Sequence, residues 1–232
     1  MPEPEPPRRV MVIMAHPDDP EFACAGTVAR WAAQGTEVIY VLITSGDKGS
    51  DDPDMTREAL MALREQEERA AARLLGVKEV VFLRYPDGEL APTLDLRRDL
   101  VREIRRYRPD AVIVPDPTRR FWDSGYINHS DHRVAGEVAL DAIYPAAGNR
   151  RFFPELLAEG FLPHAVREVY VADSTEPNLT VDISATLDLK IAALKEHRSQ
   201  LDPAQVDKWF RGGENGGETF RPVEEFRRIV LG

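Results

Sequence analysis

The chain has 232 residues, 43% of them apolar and 30% charged, with a single cysteine and a formal charge of −10. This is enough apolar material for one large α/β core, and a lone Cys24 cannot form an internal disulfide, which points to a reducing, cytoplasmic setting. The acidic balance argues against a partner held through a phosphate backbone, because that affinity rests on clustered Lys and Arg, and no apolar run is long enough to span a bilayer.

The Pro- and Glu-rich start MPEPEPPRR (1–9) lacks the apolar stretch of a secretory signal. It is expected to be a disordered lead-in to one domain over 10–232. VMVIMA (10–15) reads as a buried strand, and FACAGTVARWAAQG (22–35) as a helix closed by Gly35. EVIYVLIT (37–44) is a second strand. The helix over 55–76 is capped by Thr56 and ends at Gly76. A third strand is EVVFLR (79–84). The helix over 94–107 turns Leu96, Leu100, Val101 and Ile104 inward and its arginines to water. DAVIVP (110–115) is the fourth strand and is followed by a helix over 131–144. Segments 145–167 and 202–222, rich in Pro and Gly, are expected to be long loops. EVYVAD (168–173) is a fifth strand, and 185–200 a late helix. The C-terminal FRRIVLG is apolar enough to be an interface strand or helix. This alternation predicts a Rossmann-like, three-layer α/β/α fold with a mostly parallel sheet.

In such sheets ligands bind beyond the C-terminal ends of the strands. The segments there are HPDD, TSGDKGS, YPDGEL and PDPTRRFWDSGYINHSDH. Of the five histidines in the chain, His16, His129 and His132 sit in two of these loops beside carboxylates. Catalytic zinc takes three protein ligands of this kind and keeps a position open. A further carboxylate serves as general base and a further His as general acid. Either cluster alone can be a turn or a helix cap; together, at strand exits, they favour a metal site.

AHPDDPEFACAGT resembles the A-H-P-D-D-x-E-x-x-x-G-G-T signature of the LmbE-like (PIG-L) zinc-dependent deacetylases, and NHSDHR resembles their H-x-D-H motif. REQEERAAARLLGV, FLRYPDGEL and KIAALKEHRSQ support the match along most of the chain. Ala25 stands where the family usually has a glycine, and Ser130 where many members have proline. The resemblance implies Zn²⁺ held by His16, Asp19 and His132, with Fe²⁺ as an alternative. Asp18 would be the general base. His129, its ring held by Asp131, would stabilise the oxyanion and protonate the departing amine. Arg64, Asp87 and His197 would contact substrate, with Gln200 beside the pocket. The implied substrate is an N-acetylglucosamine-bearing small molecule such as a glycoside of the mycothiol or bacillithiol pathways, and the implied assembly a trimer or hexamer.

Other residues have plainer readings. Glu21 suits a helix N-terminus, Cys24 a buried helix face, and His164 a loop. Trp122 and Tyr126 either stack on a sugar or pack their own loop. GGENGG (212–217) follows no strand and matches no phosphate-binding motif, so it reads as a flexible loop or lid. The competing functions are a hydrolase of a thiol-conjugate amide or a phosphoester, and a non-catalytic sugar-binding protein. A phosphoesterase often needs two metals, and a binding protein has no use for Asp18 and His129 besides three ligands.

Overall fold

A computed structural model describes residues 5–122, 125–211 and 221–232. Five parallel strands form the body of one sheet: β1 (Arg9–Met14), β2 (Glu37–Thr44), β3 (Glu79–Tyr85), β4 (Ala111–Pro115) and β5 (Glu168–Ala172). Two antiparallel strands, β6 (Leu179–Asp182) and β7 (Val223–Val230), extend it beyond β5. The order across the sheet is β3-β2-β1-β4-β5-β7-β6. The sheet is therefore mostly parallel, as expected.

The strands are continuous apolar runs because both of their faces are covered. Val10, Val12 and Met14 of β1 face one side. They pack with Cys24, Val28 and Trp31 of α1 (Asp19–Ala33) and Ala71 and Ala72 of α2 (Arg57–Leu74). Met11 and Ile13 face the other side, against Leu96, Leu100 and Ile104 of α3 (Leu94–Tyr107) and Val138 of α4 (Ser130–Asp141). This period of two, with a helix layer on each side, makes the three-layer sandwich. Thr56 caps α2, its side chain accepting from the Ala59 amide, and Gly35 follows α1 with φ 96°.

Several boundaries depart from expectation. Segment 145–167 is not one long loop. A π-helical turn over Ala142–Ala147 continues from α4, and the short α5 (Glu155–Ala158) follows. The late helix is shorter than expected, α6 (Leu187–Leu194), because the chain tightens into three-residue turns after Leu194, where the amides of Glu196 and His197 donate to the carbonyls of Ala193 and Leu194. Residues 203–211 form α7 (Pro203–Arg211) rather than loop, while the glycine-rich stretch 212–217 lies outside the described residues. The C-terminal segment is β7, paired within the chain's own sheet. The lead-in is tied to the body from Pro7, whose carbonyl accepts from the Thr36 hydroxyl, and Arg9 already belongs to β1.

β1 lies between β2 and β4, and the connections leave it in opposite directions, so a crevice opens at its C-terminal end. Gly136 lets α4 close onto that crevice: a Cβ there would lie 2.3 Å from the Pro115 carbonyl oxygen at the end of β4. The first turn of α4 is thus brought against the exit of β1.

Candidate metal centre and active site

His16 leaves the end of β1, Asp19 opens α1, and His132 lies in the first turn of α4. Their polar atoms converge. His16 Nδ1 is 3.2 Å from His132 Nε2 and 3.4 Å from Asp19 Oδ2, and His132 Nε2 is 3.1 Å from Asp19 Oδ1. Tetrahedral zinc with bonds of about 2.0–2.1 Å separates its ligand atoms by roughly 3.3 Å. The three residues therefore already stand at the spacing of one metal's ligands, and they form a grouping able to hold an ion.

The ring nitrogens turned away from this point are braced, as metal-binding imidazoles usually are. His132 Nδ1 lies 3.0 Å from Asn128 Oδ1. His16 Nε2 lies 3.0 Å from Asp87 Oδ1, though without the alignment of a full hydrogen bond, and 3.4 Å from Asp131 Oδ2. The charges reinforce one another. Although burial opposes it, Asp19, Asp131 and Asp87 raise the His16 imidazole well above its ordinary range. Asp19 is correspondingly held well below the carboxylate range by His132 and His16, and Asp87 is brought down to about 2, both against their burial.

Asp131 serves a different group from the one expected. Its carboxylate accepts from the amides of Gly88 and Leu90 and approaches His16. It meets His129 only through its backbone amide, which donates to His129 Nδ1 at 3.2 Å. With Nδ1 an acceptor, the ring proton of His129 belongs on Nε2, and burial together with the neighbouring His16 lowers its pKa. The geometry favours a neutral His129 over an imidazolium. The ring sits beside this grouping, 4.8 Å from His16 and 5.5 Å from His132 between centroids.

Asp18 is the N-cap of α1, with φ 91°, in the left-handed region that a non-glycine residue seldom adopts. Asp residues at this position ordinarily cap the helix with their carboxylate. Here the side chain makes no cap bond. Its Oδ2 accepts from Arg64 Nη2 at 3.1 Å, and burial pushes the carboxyl up to about 6 against the pull of Arg64.

The expected substrate contacts take other places. Arg64 is buried, and its guanidinium donates to the carbonyls of Gly46 and Pro17 as well as to Asp18. Gly46 makes room for it, since a Cβ there would fall 2.1 Å from Nη1. Arg64 thus braces Asp18 and the two turns beside it. Asp87 is likewise buried against His16. His197 is fully buried, 3.1 Å from Glu21 Oε2, and so cannot line a pocket. Gln200 donates to the carbonyl of Gly49. Cys24 is buried, and His164 meets the carbonyl of Pro109 at 2.6 Å.

A cavity of about 350 Å³ opens on Asp19 and His132. Trp122 and Tyr126 are in its wall, with Phe22, Asn128 and Asp173. Asn128 and Asp173 were not anticipated. Asn128 stands one residue before His129 and looks like a loop residue; only the fold turns it onto His132. Asp173 ends the fifth predicted strand, a position where functional side chains collect, and its φ of 55° marks it as constrained.

The family model described as "PIG-L: GlcNAc-PI de-N-acetylase" matches residues 11–143, more than half of the chain. The chain belongs to the PIG-L family. It is 34% identical over 202 residues to the diacetylchitobiose deacetylase of Thermococcus kodakarensis, covering 87% of this chain and 73% of that one. It is 29% identical to a probable N-acetyl-α-D-glucosaminyl L-malate deacetylase of Bacillus anthracis, over 84% of this chain and 82% of the relative. Among solved structures, the N,N'-diacetylchitobiose deacetylase of Pyrococcus horikoshii superposes with a TM-score of 0.85 at 33% identity, covering 97% of this chain and 84% of that one. This PIG-L member is thus an enzyme of the deacetylase class. Both halves of its metal-capable grouping, His16 with Asp19 and His132, lie inside the matched segment. Among the described residues no helix is long and apolar enough to cross a membrane.

Proposed function

We propose that this protein hydrolyses the N-acetyl amide of an N-acetylglucosamine-bearing small molecule, releasing acetate and a free amine, with Zn²⁺ held by His16, Asp19 and His132. The observation that carries this reading is the set of three donor separations, 3.2, 3.4 and 3.1 Å, together with braces on both imidazoles. Two imidazole nitrogens and a carboxylate suit Zn²⁺, and Fe²⁺ accepts the same donors. When bound, the metal supplies a Lewis acid that polarises the amide carbonyl and acidifies water.

The chain's own groups do the rest. Asp18, free of the helix cap and pushed up to about 6, accepts the proton of the attacking water. His129 offers Nε2–H to the developing oxyanion, which a neutral imidazole can do well. An amine leaves poorly unless protonated, and the proton taken by Asp18 is the one available to it. Trp122 and Tyr126 offer aromatic faces for a sugar ring on the cavity wall. The same reading takes residues 10–232 as one domain working in the cytoplasm as a trimer or hexamer. The exposed apolar side chains of Phe121, Tyr126 and Ile127 beside the cavity support association, and sedimentation decides it.

The test is amine release from a panel of N-acetylglucosamine glycosides and N,N'-diacetylchitobiose. Asp18→Asn should lower kcat by about 10³-fold while bound metal is retained. His129→Gln, which keeps a neutral donor, should retain more activity than His129→Ala; equal losses would assign His129 a proton-transfer role instead. If no glycoside releases amine although the wild type binds Zn²⁺, the deacetylation reading fails, and thiol-conjugate amides and phosphoesters become the substrates to try.

A further inference from the structure

Beneath Asp18 lies a second cluster that the proposed chemistry does not use. Glu21 of α1, Glu68 of α2 and His197 after α6 are each 0% exposed. His197 Nε2 stands 3.1 Å from Glu21 Oε2 and 3.9 Å from Glu68 Oε2. The cluster reaches the site at one point: Glu68 Oε2 accepts the backbone amide of Asp18 at 3.1 Å. That amide belongs to the residue whose left-handed backbone turns its carboxylate away from the helix cap. A conformation of this kind persists only when its surroundings over-determine it. Glu68 on the amide and Arg64 on both the carboxylate and the preceding Pro17 carbonyl supply that determination. Glu68 is enclosed with Glu21 and with His197, whose own carbonyl accepts from the amides of Gln200 and Leu201.

We infer that Glu68, held by Glu21 and His197, is a positioning residue for Asp18, fixing the backbone conformation that presents the carboxylate as a base. This rests on Asp18 being the base of the proposed reaction. The acceptor's reach is what matters, so Glu68→Asp, which keeps the charge but is one methylene shorter, should lower kcat by about 10²-fold, the usual cost of a misplaced catalytic group. KM and bound Zn²⁺ should stay unchanged. Glu68→Gln, which still presents an acceptor oxygen at full length, should remain within about fivefold of the wild type.

The deciding experiment is a double-mutant cycle of Glu68→Asp with Asp18→Asn, amine release being followed at high enzyme concentration. If Glu68 acts through Asp18, adding Glu68→Asp to Asp18→Asn costs nothing further. Multiplying losses would overturn the positioning role while leaving Asp18 as base. So would an equal fall for Glu68→Gln, or loss of metal from Glu68→Asp. Full activity in Asp18→Asn would instead remove the base, and the positioning role with it.

Discussion

Residues 16–21 stand between two clusters of the same side-chain chemistry that behave differently. On the outer side, His16 meets Asp19 and His132, and a cavity of about 350 Å³ opens on the latter two. On the inner side, Glu21 meets Glu68 and His197, all without solvent access. In the outer cluster two imidazole nitrogens face each other at 3.2 Å, an arrangement that asks for a shared electrophile. In the inner cluster one imidazole nitrogen faces two carboxylates, at 3.1 Å and 3.9 Å. Burial pushes both inner glutamates up, whereas Asp19 outside is held far down by its two histidines. Composition does not separate the two; access and direction do.

The strongest way to break this comparison is to remove one histidine from each cluster. His132→Ala should abolish stoichiometric Zn²⁺ binding and turnover while the metal-free protein melts near the wild-type temperature. His197→Ala should keep the metal but lose about 3 kcal/mol of stability, because it strips the partner from buried carboxylates. Metal analysis with denaturant unfolding of both variants reads this directly. If His197→Ala loses metal as readily as His132→Ala, the two clusters are one unit.

A smaller effect sharpens the outer cluster. Asn128→Ala removes the oxygen that orients His132 and should weaken Zn²⁺ binding by roughly 10–100-fold, as loss of a ligand's brace usually does. Competition with a chelator measures it; an unchanged affinity would mean that packing alone fixes the His132 ring.

The smallest effect is a pH dependence. In metal-free protein the carboxylates of Asp19, Asp131 and Asp87 raise His16 against its burial. The folded state then binds that proton more tightly than the unfolded state. Its stabilisation is complete below a pH of about 6.5 and is lost as pH rises through the raised folded value. Zn²⁺ takes the proton's place, so the gain in Tm on adding it should grow by a few degrees between about pH 6 and 8. A gain independent of pH would place the metal elsewhere. His16→Gln should flatten the metal-free profile.

Much of this was legible locally. Five parallel strands were readable because a strand covered on both faces must be apolar throughout, and α3 because its buried stripe keeps helical spacing. HPDD and HSDH carry the outer cluster as contiguous motifs, since each set leaves one strand exit or opens one helix. β6 was not legible, and β7 was legible only as a C-terminal strand or helix, not as a member of the chain's own sheet. β6 is only four residues long, and β7 alternates polar side chains along a partly exposed ladder. Nor could local sequence show that Arg64 braces Asp18, that Asp131 turns to His16 rather than His129, or that His197 is sealed inside. Each of those facts joins groups 46, 115 and 176 residues apart.

The sequence by itself thus determined the fold class and which residues can hold a metal, because periodicity and donor type are local properties of the chain. Which imidazole nitrogens converge with Asp19, which carboxylate stands behind them and which histidine never meets solvent were decided by the tertiary structure. Those depend on how close α4, α2 and the turn after α6 come to the end of β1, a distance set by packing between segments far apart in the chain.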